Sequence, residues 1–112
     1  EPEMLTELLS VYLGLKADLE PHMQKEEQIL FPMIQQGQGF LADGPISVMR
    51  EEHDQAGLAL KRLRELTNDY EAPPRACNTW RALWHGLAAL EESLHQHIHL
   101  ENNILFPRAL GS

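Results

Sequence analysis

The 112-residue sequence has a single cysteine, Cys77. An internal disulfide is impossible and no cysteine pair with zinc-finger spacing exists, a usage that fits a reducing cytoplasm. Basic residues are scarce as well: nine Lys and Arg stand against seventeen Asp and Glu, for a formal charge of -8. Such a chain offers no electrostatic footprint for a phosphate backbone, which argues against nucleic acid as a partner. Val, Ile and Thr are few beside helix-favouring residues, so an all-α fold is expected. No apolar run is long enough to cross a membrane, and the acidic start Glu1-Pro2-Glu3 is unlike a signal peptide. A soluble, cytoplasmic protein is the expectation. Neither a low-complexity segment nor a domain linker interrupts the chain, and its length suits one core in one domain, 1–112.

What the sequence does contain is a repeat. His22-Met23-Gln24-Lys25-Glu26-Glu27-Gln28-Ile29-Leu30-Phe31-Pro32 returns as His97-Ile98-His99-Leu100-Glu101-Asn102-Asn103-Ile104-Leu105-Phe106-Pro107. Both stretches carry His, then Glu four residues on, then Ile-Leu-Phe-Pro at the same offsets. Residues four apart lie one above the other on a helix, so each segment aims an imidazole and a carboxylate from one face.

Apolar periodicity places these pairs on buried stripes of three helices, about 3–34, 45–69 and 75–109. In the first, Leu5, Leu8, Tyr12, Leu15 and Leu19 step by three or four and lead into His22, Glu26, Ile29 and Met33. Pro21 falls inside this pattern, and a continuous, bent helix is expected there. Gly37, Gly39 and Gly44 mark a loop, and Pro45 suits the first turn of the second helix. That helix has Ile46, Met49, His53, Ala56, Leu60, Leu63 and Thr67 on its inner face and fades near 68–70, before Pro73-Pro74. The third carries Trp80, Leu83, Leu87, Leu90, Leu94, His97, Glu101 and Ile104 inward, with Leu110-Gly111-Ser112 as a short tail.

Two helices of this kind facing each other converge two imidazoles and two carboxylates. Burying two carboxylates without a cation costs several kcal/mol per ion, about enough to disfavour a merely hydrogen-bonded polar seam and to favour a metal. The acidic excess is then partly matched by bound cations. His53, opposite both pairs, is a further ligand candidate. His95 and His99 fall on another face, as rim residues, and His85 on the surface. Glu27 and Glu52 are expected to face solvent. Trp80 and Trp84 are read as core, Met23, Met33 and Met49 as gap fillers, and Cys77 as a small, partly buried residue.

With these motifs and Glu52-His53, the sequence resembles the hemerythrin-like family, most closely its di-iron proteins for repair of iron centres, the iron-sulfur cluster repair proteins. The likeness covers essentially the whole chain. It implies a four-helix up-down bundle holding two non-haem irons, with His22 and His97 as terminal ligands, Glu26 and Glu101 as bridges, and His53 as a further imidazole. The family pattern also has a helix before the one carrying His22, with at least one more histidine, and a small cysteine-bearing amino-terminal domain. Residues 1–21 contain no histidine, so a fragment bearing the last three helices is expected. An apolar groove and an open metal position should result, relieved by a homodimer or by helix exchange. Partial occupancy, or zinc or manganese as substitute, follows from the same reading.

The function the resemblance implies is recovery of iron-sulfur clusters after nitrosative or oxidative stress, through labile iron or nitric oxide handling, with damaged iron-sulfur proteins as clients. A hemerythrin-type module that binds or senses dioxygen or nitric oxide is the alternative. A partner-binding helical module without metal is the third reading.

Overall fold

The computed structural model describes residues 2–111, the side chain of Pro2 excepted. Glu1 and Ser112, read above as part of the acidic start and of the tail, lie outside the described residues. All regular structure among the described residues is helical, as expected. Helix α1 (Pro2–Lys25) passes through a π-helical turn, Glu26–Leu30, into α2 (Phe31–Gln35). A 3-10 turn, Gly39–Leu41, leads to α3 (Asp43–Leu66), which packs back along α1. Helix α4 (Asn78–Leu100) ends in a second π-helical turn, Glu101–Leu105, and α5 (Phe106–Leu110) closes the described chain. The result is three long helical arms in a body of 55 × 20 × 18 Å.

Pro21 lies within α1 without ending it. Its ring faces solvent, as does Ala17, whose carbonyl loses its helical donor there, so water can satisfy that oxygen. The two π-helical turns have a common cause in the repeat. Pro32 and Pro107 cannot donate to the carbonyls four residues back, Gln28 and Asn103, and their rings crowd those carbonyls. Widening the preceding turn relieves the clash: Phe31 N–H donates to Glu26 O and Phe106 N–H to Glu101 O, each five residues back.

This slip moves the buried stripe. After Glu26 the next buried residue is Leu30, while Ile29 is 51% exposed; after Glu101 it is Phe106, while Ile104 is exposed. A strict step of three or four, which put Ile29 and Ile104 inside, misses the extra residue in each turn. Leu5 and Leu83, also assigned inward, are exposed, and the buried face of α4 runs instead through Trp84, Leu87, Glu91 and Leu94. On α3 the buried residues are Ile46, Met49, His53, Ala56, Leu60 and Leu63, followed by Thr67 just beyond its end. Leu110, read as tail, is helical and packs against the core.

After α2 the chain turns at Gly37, whose φ of +74° is left-handed. Gln38 N–H reaches Met33 O and Gly37 N–H reaches Ile34 O, the paired bonds of a Schellman ending. At Gly39 a side chain would meet Ala109 O at 2.7 Å, so the missing Cβ lets this loop seat on α5.

The core has two parts. One contains Leu8, Leu15, Ala56, Leu60, Leu63, Trp84, Leu87 and Leu94. The other contains Leu30, Ala42, Ile46, Met49, Phe106 and Ala109. On each long arm the polar residues of the repeat, or His53, lie between the residues of these two clusters. Apolar packing on both sides therefore holds a polar layer where water has little access.

Candidate metal centre

Five side chains converge in that layer. His22 and Glu26 come from the end of α1 and its π-helical turn, His53 from the middle of α3, and His97 and Glu101 from the end of α4 and the turn after it. Each Nε2 points at a carboxylate. His22 Nε2 lies 3.1 Å and His97 Nε2 3.4 Å from Glu26 Oε1. His53 Nε2 lies 2.9 Å and His97 Nε2 3.1 Å from Glu101 Oε1. His97 thus spans both carboxylates. One ligand atom from each of His22, His53, His97 and Glu101 falls within 4.8 Å of the others.

These approaches are close but poorly aligned for hydrogen bonding. Of seven buried side-chain polar atoms without a hydrogen-bond partner among the described residues, six belong to this cluster: Nε2 of the three histidines, both oxygens of Glu26 and Glu101 Oε1. Leaving that many donors and acceptors orphaned would cost a bundle an amount of the order of its whole net stability. Nitrogen and oxygen lone pairs aimed at a common space, beside a cavity of about 20 Å³ bordered by all three histidines, suit a cation. The residues present therefore fit a metal.

Electrostatics agree. The Glu26 carboxylate raises the pKa of His22, against the opposing effect of burial and with help from Glu52. For Glu26 itself burial acts upward, but its contacts with His22 and Glu101 and the positive character of His22 and His97 outweigh it and hold the carboxyl low. Burial raises Glu101, only partly opposed by His53, and the neighbouring Glu26 raises it further. Glu101, raised by burial and by its neighbour Glu26, is the carboxyl left short of positive charge.

Around the cluster, further contacts fix the rings. The His53 ring stacks on Phe106 with centroids 5.9 Å apart and planes 6° from parallel. His53 Nδ1 lies 2.9 Å from Asn102 Oδ1, and His22 Nδ1 lies 2.8 Å from Glu52 Oε1. The other Glu52 oxygen pairs with Lys25. Glu52 is therefore not the solvent-facing residue expected from its place beside His53; it spans from α3 to α1. His85, His95 and His99 are exposed, and His99 bonds Asn103 on the same helix face. Glu27 is exposed, and so is Cys77, which was expected to be partly buried. Trp84 is buried and Trp80 partly so, their rings meeting edge to face.

Three helices carrying a His-x-x-x-Glu pair twice and a third histidine between define a helical cation-binding module. The model of the hemerythrin HHE cation-binding domain matches residues 1–109, and the chain belongs to that family. It is 54% identical over 110 residues to the iron-sulfur cluster repair protein YtfE of Escherichia coli O81 (strain ED1a). It is 53% identical to the proteins of that name from Escherichia coli O1:K1 / APEC and Escherichia fergusonii. In each case the match covers 98% of this chain and 49% of the relative, so the chain spans about half the length of these curated relatives.

Proposed function

We propose that His22, Glu26, His53, His97 and Glu101 hold two iron ions, and that this domain, 1–112, serves repair of iron-sulfur clusters damaged by nitrosative or oxidative stress. The observation that carries the reading is the set of six orphaned polar atoms enclosed between two apolar clusters. Similarity to cluster repair proteins supplies the process. When bound, iron at such a site supplies redox change and affinity for diatomic gases such as nitric oxide.

The protein's part is to hold, orient and release. Glu26 and Glu101, each in reach of two imidazoles, would be the carboxylate ligands, shared between the ions as the resemblance implies; His22 and His53 would be buried imidazole donors. His97, whose side chain is 33% exposed, is the member nearest water and the one through which a gas or a departing iron would pass. The described residues offer three imidazoles and two carboxylates to two irons, a sparse donor set that suits donation to a damaged client protein. Zinc or manganese would satisfy the same nitrogen and oxygen donors. No helix among the described residues is long and apolar enough to cross a membrane, and a cytoplasmic setting belongs to the proposal.

The test is anaerobic loading with ferrous iron, followed by incubation with a nitric-oxide-damaged iron-sulfur enzyme and a chromogenic chelator. Two irons per chain, their release, and return of the client's cluster are expected. Reversible binding of nitric oxide or dioxygen with all iron retained would point instead to a gas-binding module, and metal at background would end the reading.

A further inference from the structure

We infer that Glu52 and Asn102 are positioning residues for the metal-facing imidazoles, and that they make His22 the stronger donor and His53 the weaker. The inference rests on the metal-centre reading above. A neutral imidazole carries one N–H, and whichever nitrogen holds it cannot ligate. The rings of His22 and His53 each present Nε2 to the cluster without a hydrogen-bond partner and place Nδ1 within 2.9 Å of a side-chain oxygen outside it. An acceptor at Nδ1 keeps the proton there and leaves the Nε2 lone pair facing inward.

The arrangement occurs twice by one device. Glu52 precedes His53 on α3 and reaches His22 on α1; Asn102 follows Glu101 and reaches His53 on α3. In each dipeptide one residue points into the cluster, and its neighbour, about 100° round the helix, fixes a ligand on the next arm. The two acceptors differ in charge. An ionised carboxylate draws the Nδ1 proton and enriches the opposite nitrogen, whereas the amide oxygen of Asn102 does so less. Among the described residues His97 has no such side chain at its outer nitrogen.

A plain structural tie between α1 and α3 is the competing account, because Glu52 also pairs with Lys25. The test compares apoprotein variants by chelator competition for ferrous iron and for zinc, with apoprotein melting measured alongside. Glu52→Gln should weaken binding about 10- to 100-fold. Lys25→Met, which removes the tie but leaves the carboxylate on His22, should not weaken it. Asn102→Asp, which substitutes a charged acceptor, should tighten binding, and imidazole NMR of the zinc form should place the proton of both rings on Nδ1.

Unchanged affinity in Glu52→Gln, equal losses in Glu52→Gln and Lys25→Met, or weaker binding in Asn102→Asp with normal melting would overturn the inference. Glu26→Gln serves as reference. If it abolishes binding while the outer variants change nothing, only the positioning role fails. If the parent chain binds no metal, the metal-centre reading itself fails.

Discussion

Each residue of the cluster is defined by what it would lack without a cation. Glu26 is 1% exposed, and neither of its carboxylate oxygens has a hydrogen-bond partner among the described residues. If the proposed iron centre is right, replacing Glu26 or Glu101 by Gln removes a charge and a ligand oxygen from it, so bound iron should fall at least tenfold, read by elemental analysis of protein loaded in parallel. His95→Ala, on the exposed face, should leave it unchanged; equal losses would refute the ligand set. The sign of the pH dependence follows from His22. Its pKa is raised by Glu26, so in the metal-free protein it takes up a proton above the usual 6.5. Proton and metal compete for the same Nε2, so affinity is full above the raised pKa and is lost as pH falls through it, with the decline beginning above 6.5. Periodicity made His22, Glu26, His53, His97 and Glu101 legible because each occupies a position where the helix stripe calls for an apolar residue. Glu52 was not legible. A residue beside an inward one lies 100° round the helix, and only the packing of the next arm decides whether it meets water or an imidazole.

At the scale of elements, the Ile-Leu-Phe-Pro endings have a mechanical meaning: each proline forces the turn before it open, and the slip carries Leu30 and Phe106 into the core. The prolines were visible in the sequence, whereas the direction in which the ladder would yield was not. The turn after α3 was equally hidden. Asn68, Asp69 and Tyr70 are all left-handed, with φ of 52°, 60° and 61°, at a cost of roughly 1–2 kcal/mol each. Offsetting contacts surround them. Thr67 Oγ1 accepts from Tyr70 N–H at 3.0 Å and Asp69 N–H donates to Arg64 O at 2.8 Å. The Arg64 guanidinium sits 5.1 Å from the Tyr70 ring centre and also binds the buried Glu91, to which the Tyr70 hydroxyl donates at 3.3 Å. Burial, then the charge of Glu91, pushes the Tyr70 phenol up to about 12 from its ordinary 10. The folded state therefore resists ionisation: the stability Tyr70 contributes is complete below pH 10 and is lost as pH rises from 10 through 12. Partial exposure of the ring reduces that loss to the order of 1 kcal/mol. Urea unfolding of the parent and Tyr70→Phe between pH 8 and 12 should show the variant about 1 kcal/mol weaker at pH 8, from the lost hydrogen bond. That gap should close with alkali; a constant gap would mean that folding does not raise the phenol's pKa.

For the whole molecule, what stays uncovered matters most. Between α1 and α4 runs an apolar groove of about 590 Å³ lined by Leu5, Leu8, Leu9, Tyr12, Leu83 and Leu87, among others. Leu5, Leu9 and Leu83 are each about half exposed, and Leu13 extends the α1 stripe. A monomer rarely leaves so much leucine in water, and a contiguous patch of this kind marks an interaction face. The homodimer expected from the sequence would cover it, and the oligomeric state can be tested directly. In a two-fold dimer each substitution strikes the interface twice, so Leu9→Glu would bury two carboxylates, a penalty of several kcal/mol and about enough to take a micromolar dimer apart. Sedimentation of the parent chain should show a dimer whose melting temperature rises with concentration, and Leu9→Glu should be monomeric with no such dependence. Metal content should be the same in both, because the groove is flanked by the cluster of Leu8 and Leu87 rather than by the ligands. A parent chain that stays monomeric throughout would refute the dimer. A loss of metal in step with dissociation would show that the second copy completes the centre, a coupling that would tie iron release to assembly.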